Sequence, residues 1–533
     1  MLSNSMFYAL VGVTVLYAFY KWATANQNYF MRRNMKHLKP TFLIGNTLKF
    51  NAKRTNPVKW LNSVYYKYPN EKVIGFFDMR KPVYFVRDVD FLRQIAIKYF
   101  DHFEDRTSLV SPKSDTLIGN SLLSLTGKKW HDMRSTLSPS FTSSKMQQMF
   151  ELVVECADDM AKYFIEESMQ NKPIRWEMKR LFARYTNDII ASCSFGLKVD
   201  SLRDPKNEFF TVACRLLSSR RNTIETLKLL LIRAFPDLMC ALNIEVFRSD
   251  IKLFFKSMVL DTMEEREVKN IVRPDMINIM MQVRSGKLKH DHDESNDNDT
   301  GFATVEESNI GRRQVNRTWT DDEIIAQCFL FFLAGFDTIS TSLSFMAYEL
   351  ALNQDIQQKL YEEIREVNES LNGGRLTYDT LPKMKYFDQV ISETLRKWPS
   401  IFTTSRKCTK DFEFELDGKK ILIERGQEVR FPIYSIHHDP EIYENPEQFD
   451  PERFSGENKH KIKPGSYIPF GIGPRNCIGS RFALMEMKAL LFYLLLNFNI
   501  QPYDETEIPL KIGRSTISWN IKNGIHLEFK PRA

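Results

Sequence analysis

The chain has 533 residues, 43 % of them hydrophobic and 26 % charged, with a net charge of +7. That composition is globular, and its lysines and arginines are mixed with acids rather than gathered in a basic run with stacking aromatics, which argues against nucleic acid and for an anionic membrane surface or an acidic protein partner. Seven cysteines, an odd number without any C-x-x-C pair, argue against zinc or disulfide scaffolds and for a reducing compartment, while 40 Phe indicate a large apolar interior that either packs on itself or holds an apolar ligand.

Residues 6–22, MFYALVGVTVLYAFYKW, are apolar up to Lys21. The run is short but usable as a membrane-crossing helix with aromatic ends at the interface. Arg32, Arg33, Lys36 and Lys39 follow it, whereas the leading MLSNS carries no basic side chain. The positive-inside bias then leaves everything after residue 22 in the cytosol. A cleaved secretory signal is the rival reading, because Ala23-Thr24-Ala25 has the form of a cleavage site. The missing basic start and the unpaired cysteines favour the uncleaved anchor. Residues 1–22 are thus expected to be a signal anchor, and 23–45 a basic linker and hinge containing Pro40 and Gly45.

Residues 72–88, KVIGFFDMRKPVYFVRD, alternate and carry β-branched and aromatic side chains, so they predict a strand pair turning near Arg80-Lys81. Helical periodicity dominates from about 128 to 285. Trp130 and Arg134 are spaced i,i+4 there, so they share a face; His131 between them reads as facing solvent. Residues 286–318 are polar and charged and predict a mobile surface loop, in which His290 and His292 are solvated rather than metal-bound.

Thr320 and Glu323 form a capping box that opens the strongest helix. Its run CFLFFLAGFDTISTSLSFMAYEL (328–350) is apolar almost all round and predicts a helix buried on every side. A mid-helix glycine costs about 1 kcal/mol relative to alanine. Gly335 therefore needs a reason, and small residues beside the backbone leave room for a ligand. Asp337 and Thr338 in that apolar run also need a reason, since burying polar groups is costly. Ala334 lies one turn before Thr338 on the same face. Glu393 and Arg396 are an i,i+3 ion pair. Residues 411–433 predict short strands with Asp417-Gly418 as a hairpin turn. The whole reads as mainly α with a small β portion.

The chemistry concentrates in PFGIGPRNCIGSRF (469–482). A thiolate is a soft, strong ligand for iron. Glycines permit turns whose N–H groups can face one sulfur, and the helix expected over 480–496 adds its positive end. Arg475 is a cation suited to a carboxylate. One thiolate held against a flat, acidic cofactor describes haem, where a cysteine ligand favours O–O cleavage.

Phe470, Gly473, Arg475, Cys477 and Gly479 match F-x-x-G-x-R-x-C-x-G, and here the chain resembles the cytochrome P-450 family, from about residue 40 to 528. The wording is most similar to microsomal animal enzymes, especially insect ones that handle foreign compounds. The resemblance implies the family's fold, a helical haem-binding core with a β-rich subdomain, as one catalytic domain over 46–533. Only Pro40 represents the family's proline-rich hinge. The resemblance further implies haem b with Cys477 as the axial ligand of its iron, and Trp130, Arg134 and Arg406 at the haem carboxylates with Arg475. Phe470, Gly479 and Ala334 would line the cofactor, and Thr338 and Asp337 would arrange protons for dioxygen. Glu393 and Arg396, with Arg453 of the later Pro451-Glu452-Arg453-Phe454, would have a structural role. Leu330, Leu333 and Ala334 would face the substrate, as would parts of 399–405 and 101–127. His437-His438 is placed in a surface segment and not at the iron.

The function so implied is a haem-thiolate monooxygenase of the endoplasmic reticulum membrane, with its catalytic domain on the cytosolic face. It would take electrons from NADPH through NADPH–cytochrome P-450 reductase, with cytochrome b5 as a further donor. It would insert one oxygen atom of O2 into an apolar small molecule, either a foreign compound such as an insecticide or plant toxin or an endogenous lipid or hormone. Lys463, Arg475, Arg481 and Lys488 are candidates for a basic face that docks the reductase, against the plainer reading of a solvated charged face. Two rivals stay open: a haem-thiolate isomerase or dehydratase that uses no dioxygen, and a non-catalytic haem- or lipid-binding protein. Relatives of the first kind often lose the acid–threonine pair, which this chain keeps.

Overall fold

The computed structural model describes residues 4–532 apart from 48–55, 108–109, 111–113, 171, 220–223, 225–226, 229–230, 233–234, 243, 287–301, 306–309, 312–316, 417 and 515–518. Most of the 286–318 segment, with His290 and His292, lies outside the described residues. So does Asp417 of the expected hairpin turn.

The elements that position the site are labelled in chain order. They are α1 (Asn4–Thr24), β1 (Val73–Asp78), β2 (Lys81–Val86), α2 (Gly127–Leu137), α3 (Ser143–Ser168), β3 (Ile174–Glu177), α4 (Met178–Ile190), α5 (Asp321–Leu352), α6 (Lys385–Lys397), β4 (Thr404–Lys407), β5 (Phe412–Leu416), β6 (Lys419–Ile423), β7 (Glu428–Phe431), α7 (Ser480–Asn497), β8 (Phe498–Gln501) and β9 (His526–Pro531). The fold is mainly α with a small β portion. The chain divides into two compact units.

The smaller unit comprises residues 1–107, 402–436 and 514–517. Its four-stranded sheet has the order β1-β2-β7-β4, with β2 and β7 parallel and the other pairs antiparallel. The β1–β2 turn falls at Met79-Arg80, with Met79 at φ 54°. All six β1 residues are buried, although alternation suggests one wet face. The reason is a second cover: Phe30 is fully buried, and a Cβ on Gly75 would come within 2.7 Å of its ring. Residues 23–45 therefore run along this sheet, with bridges from His37 to Gly75 and from Gly45 to Asp78. β5 and β6 form the second hairpin, closed at Leu416–Lys419.

The larger unit comprises 108–401, 437–513 and 518–533. Here α4 lies along α5, and α7 packs on α3. β3, β9 and β8 form a three-stranded antiparallel sheet. Thr320 and Glu323 close the capping box at the start of α5. From Ile339 to Ala351 α5 is buried at every position, but Leu330, Phe331, Leu333, Asp337 and Thr338 are only half-buried and Ala334 is exposed. The expectation of burial on all sides thus fails in mid-helix, where one face is left partly open among the described residues.

Candidate functional site

The cysteine loop is a tight turn ahead of α7. Gly471 and Gly473 hold φ of 79° and 72°, the left-handed region that disfavours side chains. The Asn476 N–H donates to Gly473 O at 2.9 Å, and the Cys477 N–H to Phe470 O at 2.8 Å. Those two N–H groups shape the turn rather than face the sulfur. Gly479 needs no special backbone angle, and a Cβ there would meet only Phe141 Cε1, at an ordinary 3.7 Å. Cys477 is exposed, whereas Arg475 and Asn476 beside it are buried. α7 begins three residues later and directs its positive end toward this turn. Phe470 is half-buried against the main apolar core.

Trp130 and Arg134 of α2 are buried at this loop. Arg134 donates from Nη1 to Asn476 O at 3.0 Å and from Nη2 to Asn476 Oδ1 at 2.9 Å. The Arg475 guanidinium lies 3.8 Å over the Trp130 ring and donates to Leu125 O at 3.0 Å. Carbonyl and amide oxygens and an indole face hold two buried cations beside one exposed thiol. Those donors suit a cofactor that presents carboxylates and a thiophilic metal. Haem meets both demands.

The basic docking face reads differently in the structure. Arg475 and Lys488 are both buried, and Lys488 Nζ is held by Asp388 Oδ1 at 2.7 Å and Leu381 O at 2.9 Å. Neither can greet a partner. Lys463 is exposed and Arg481 half-buried.

On α5 the open face carries Leu330, Leu333, Ala334 and Thr338. Phe141 meets Phe331 at a centroid distance of 5.8 Å and so links the cysteine loop to this face. Thr338 Oγ1 donates to Ala334 O at 2.6 Å, and Ser400 Oγ donates to Thr338 O at 3.2 Å. Asp337 points elsewhere, to Lys179 of α4 at 3.0 Å. Gly335 has a packing reason: a Cβ there would sit 3.0 Å from Ile190 Cδ1 of α4. Close helix approach, rather than room for a ligand, accounts for it.

Glu393, Arg396 and Arg453 converge. Arg396 donates from Nε to Glu393 Oε2 at 2.6 Å and from Nη2 to Oε1 at 2.8 Å, both residues fully buried. Its remaining donors reach His437 O and Pro446 O, at 2.9 and 2.8 Å. Arg453 Nε lies 3.5 Å from Glu393 Oε1, and the Asp450 N–H donates to the same oxygen at 3.0 Å.

His437 and His438 are buried, which corrects their placement at the surface. The Ile468 N–H donates to His437 Nε2 at 3.0 Å, so Nδ1 carries the proton and donates to Arg396 O at 3.1 Å. With both ring nitrogens engaged, His437 is no metal ligand; it joins the end of α6 to the segment entering the cysteine loop. Burial, then the charges of His438 and Arg396, hold its pKa well below the usual value.

Arg406 lies in the smaller unit on β4, fully buried. Burial and then the like charge of Arg106 lower its pKa, an environment that favours an added anion. Segment 101–127 is divided between the units and partly outside the described residues; of 399–405, Ile401 is exposed and Thr403, Thr404 and Ser405 half-buried.

Four residues of the larger site carried no pattern: Asn476, Phe141, Lys179 and His437. Asn476 occupies an unspecified position of the cysteine motif. The others contact partners at sequence distances that periodicity cannot reach. His437-His438 was the one visible signal, and only as a pair of histidines.

A protein-family model described as Cytochrome P-450 matches residues 35–527. The chain is 39 % identical to probable cytochrome P-450 9f2 of Drosophila melanogaster, with 99 % of each chain covered. It is 40 % identical to cytochrome P-450 9e2 of Blattella germanica over 96 % of each chain. It is also 35 % identical to cytochrome P-450 6a2 of Drosophila melanogaster, over 98 % of this chain and 99 % of that one.

Proposed function

The chain belongs to the cytochrome P-450 family, and we propose that it oxidises apolar foreign compounds at the endoplasmic reticulum membrane, with its catalytic domain on the cytosolic face. As a member, it is a haem-thiolate monooxygenase that uses haem b and electrons from a redox partner. The finer reading takes NADPH–cytochrome P-450 reductase as that partner, with cytochrome b5 as a further donor. An insecticide or plant toxin is the substrate class favoured over an endogenous lipid or hormone. Full-length likeness to insect proteins supports this choice. α1, with a stretch Met6–Thr24 long and apolar enough to cross a bilayer, supports the anchor.

The observation that carries the proposal is the exposed Cys477 thiol beside two buried guanidinium groups. In this reading Cys477 holds the iron, and Arg134 and Arg475 offset the carboxylates, with Trp130 as their apolar wall. When bound, haem supplies the iron centre at which dioxygen is activated. Phe470 and Gly479 leave a close approach on the cysteine side, and Ala334 does so on α5. Leu330 and Leu333 give the substrate an apolar surface. In this reading the Thr338 hydroxyl, on the open face, is the group that would hand on a proton, and Asp337, turned toward Lys179, is the acid one residue before it. Glu393, Arg396 and Arg453 hold the loop segments in place and do no chemistry.

Reconstitution in phospholipid vesicles with the reductase and NADPH tests this reading. Ethoxycoumarin and lauric acid serve as apolar probes. Oxidised product that requires reductase, NADPH and oxygen together is expected. Haem-containing protein that turns over neither probe nor a panel of insecticides would contradict the substrate class.

A further inference from the structure

The polar segment ahead of α5 reads as a solvated loop, yet its described residues are seated. Ala303 is buried in the main apolar core, and Phe302 meets Phe454 and Tyr467 at centroid distances of 5.1 and 5.3 Å. Tyr467 stands just ahead of the cysteine loop. Further on, the segment follows α2. Ser135 Oγ donates to Ile310 O, Arg317 Nη1 lies 3.1 Å from Asp132 Oδ2, and Lys129 Nζ lies 2.5 Å from Glu323 Oε1. The other Glu323 oxygen accepts the Thr320 N–H at 3.0 Å, so one carboxylate both caps α5 and holds α2.

At 3.6 residues per turn, Lys129, Asp132 and Ser135 fall on the face of α2 opposite to Trp130 and Arg134. With 11 residues, α2 is too short to hold its helix unaided. Its N-cap Thr126 makes no side-chain hydrogen bond, and Lys128 and Lys129 sit at the positive end of the helix dipole. Such a helix keeps its place through what it packs on. The contacts close a circuit: the segment touches the entry to the cysteine loop, grips α2 from behind, and α2 returns to the loop through Arg134 and Asn476.

We propose that Lys129, Asp132 and Ser135 are positioning residues for the cofactor: their seam with the segment leading into α5 holds Trp130 and Arg134 at the cysteine loop and slows the loss of bound haem. The proposal rests on the reading that Arg134 offsets a haem carboxylate.

Transfer of haem from the ferric holoprotein to excess apomyoglobin tests it. Lys129→Met with Asp132→Asn should release haem about fivefold faster, in keeping with two partly exposed ion pairs. Lys129→Arg should keep the parent rate. Arg317→Gln breaks the second pair from the other side, should Asp132→Asn fail to fold. Arg134→Leu should release haem roughly thirtyfold faster, since it removes charge-assisted hydrogen bonds. In that background the seam substitutions should add less than about twofold, because coupled residues are not additive. A helix fastening without a cofactor role would multiply the two effects instead. Parent-like release in the seam variants, or effects that multiply, would overturn the role of the seam while Arg134→Leu still loses haem quickly. Parent-like release in Arg134→Leu would defeat the underlying carboxylate reading.

Discussion

The Glu393–Arg396 network and the open face of α5 lie in one unit and treat polar groups in opposite ways. In the network the Glu393 carboxylate, the Arg396 guanidinium and the His437 imidazole are dry: they are fully buried and bonded to one another or to backbone N–H and carbonyl groups. On α5 the Thr338 hydroxyl bonds one turn back, Ala334 is exposed, and the acid is held from the neighbouring helix. Breaking a dry network strands its partners, whereas altering an open face changes what can approach it. The first region should answer to stability measurements, and the second to binding and chemistry.

Arg396→Ala should give the largest effect. It leaves the Glu393 carboxylate buried without its cation, a loss of about 3–5 kcal/mol for such pairs. Urea unfolding with haem retention measures it; a loss no greater than that of a surface pair would erase the contrast. His437→Leu comes next, at about 2 kcal/mol, because the Ile468 N–H and Arg396 O lose their partner. Its pH dependence sharpens the point. The folded pKa of His437 lies well below its ordinary 6.5, so the neutral form belongs to the fold. The stability it contributes is present above that value and is lost as pH falls below it. The urea midpoint of the parent protein should therefore drop more steeply below pH 6.5 than that of His437→Leu.

A smaller effect of opposite sign is expected at Glu486 on α7. It is fully buried, neither carboxylate oxygen has a hydrogen-bond partner among the described residues, and burial raises its pKa well above 4.5. Its contribution is then best below 4.5 and is lost as pH rises through the folded value. Glu486→Gln should be more stable than the parent at alkaline pH, with the difference fading near 4.5; thermal unfolding at both ends of the range checks this. Smallest in stability is Ala334→Leu on the open face, within about 0.5 kcal/mol. Turnover of ethoxycoumarin should nevertheless fall several-fold, while a comparable stability loss would mean that this face is packed after all.

Local chemistry was legible in the sequence where the partners are close in the chain. The Thr320–Glu323 box, the β1–β2 turn and the i,i+3 pair of α6 involve partners within a few residues, and periodicity reports such distances. The converging arginines of the site came through likeness to a family, since no spacing rule joins Arg134 to a loop 342 residues on. What stayed hidden depended on packing. Arg475 and Lys488 look like surface cations because charge suggests exposure, yet an indole face and an acid with a carbonyl take them inside. Gly335 looked like space for a ligand and is space for Ile190. His437 looked peripheral because its partners lie 31 and 41 residues away.

The central claim is that Cys477 is the thiolate ligand of the haem. The carbon monoxide difference spectrum of the reduced protein, recorded beside that of Cys477→Ala, tests it most directly. The red-shifted thiolate band in the parent and its loss in the variant are the predicted result. Haem bound without that band, or a band that survives in Cys477→Ala, would contradict it.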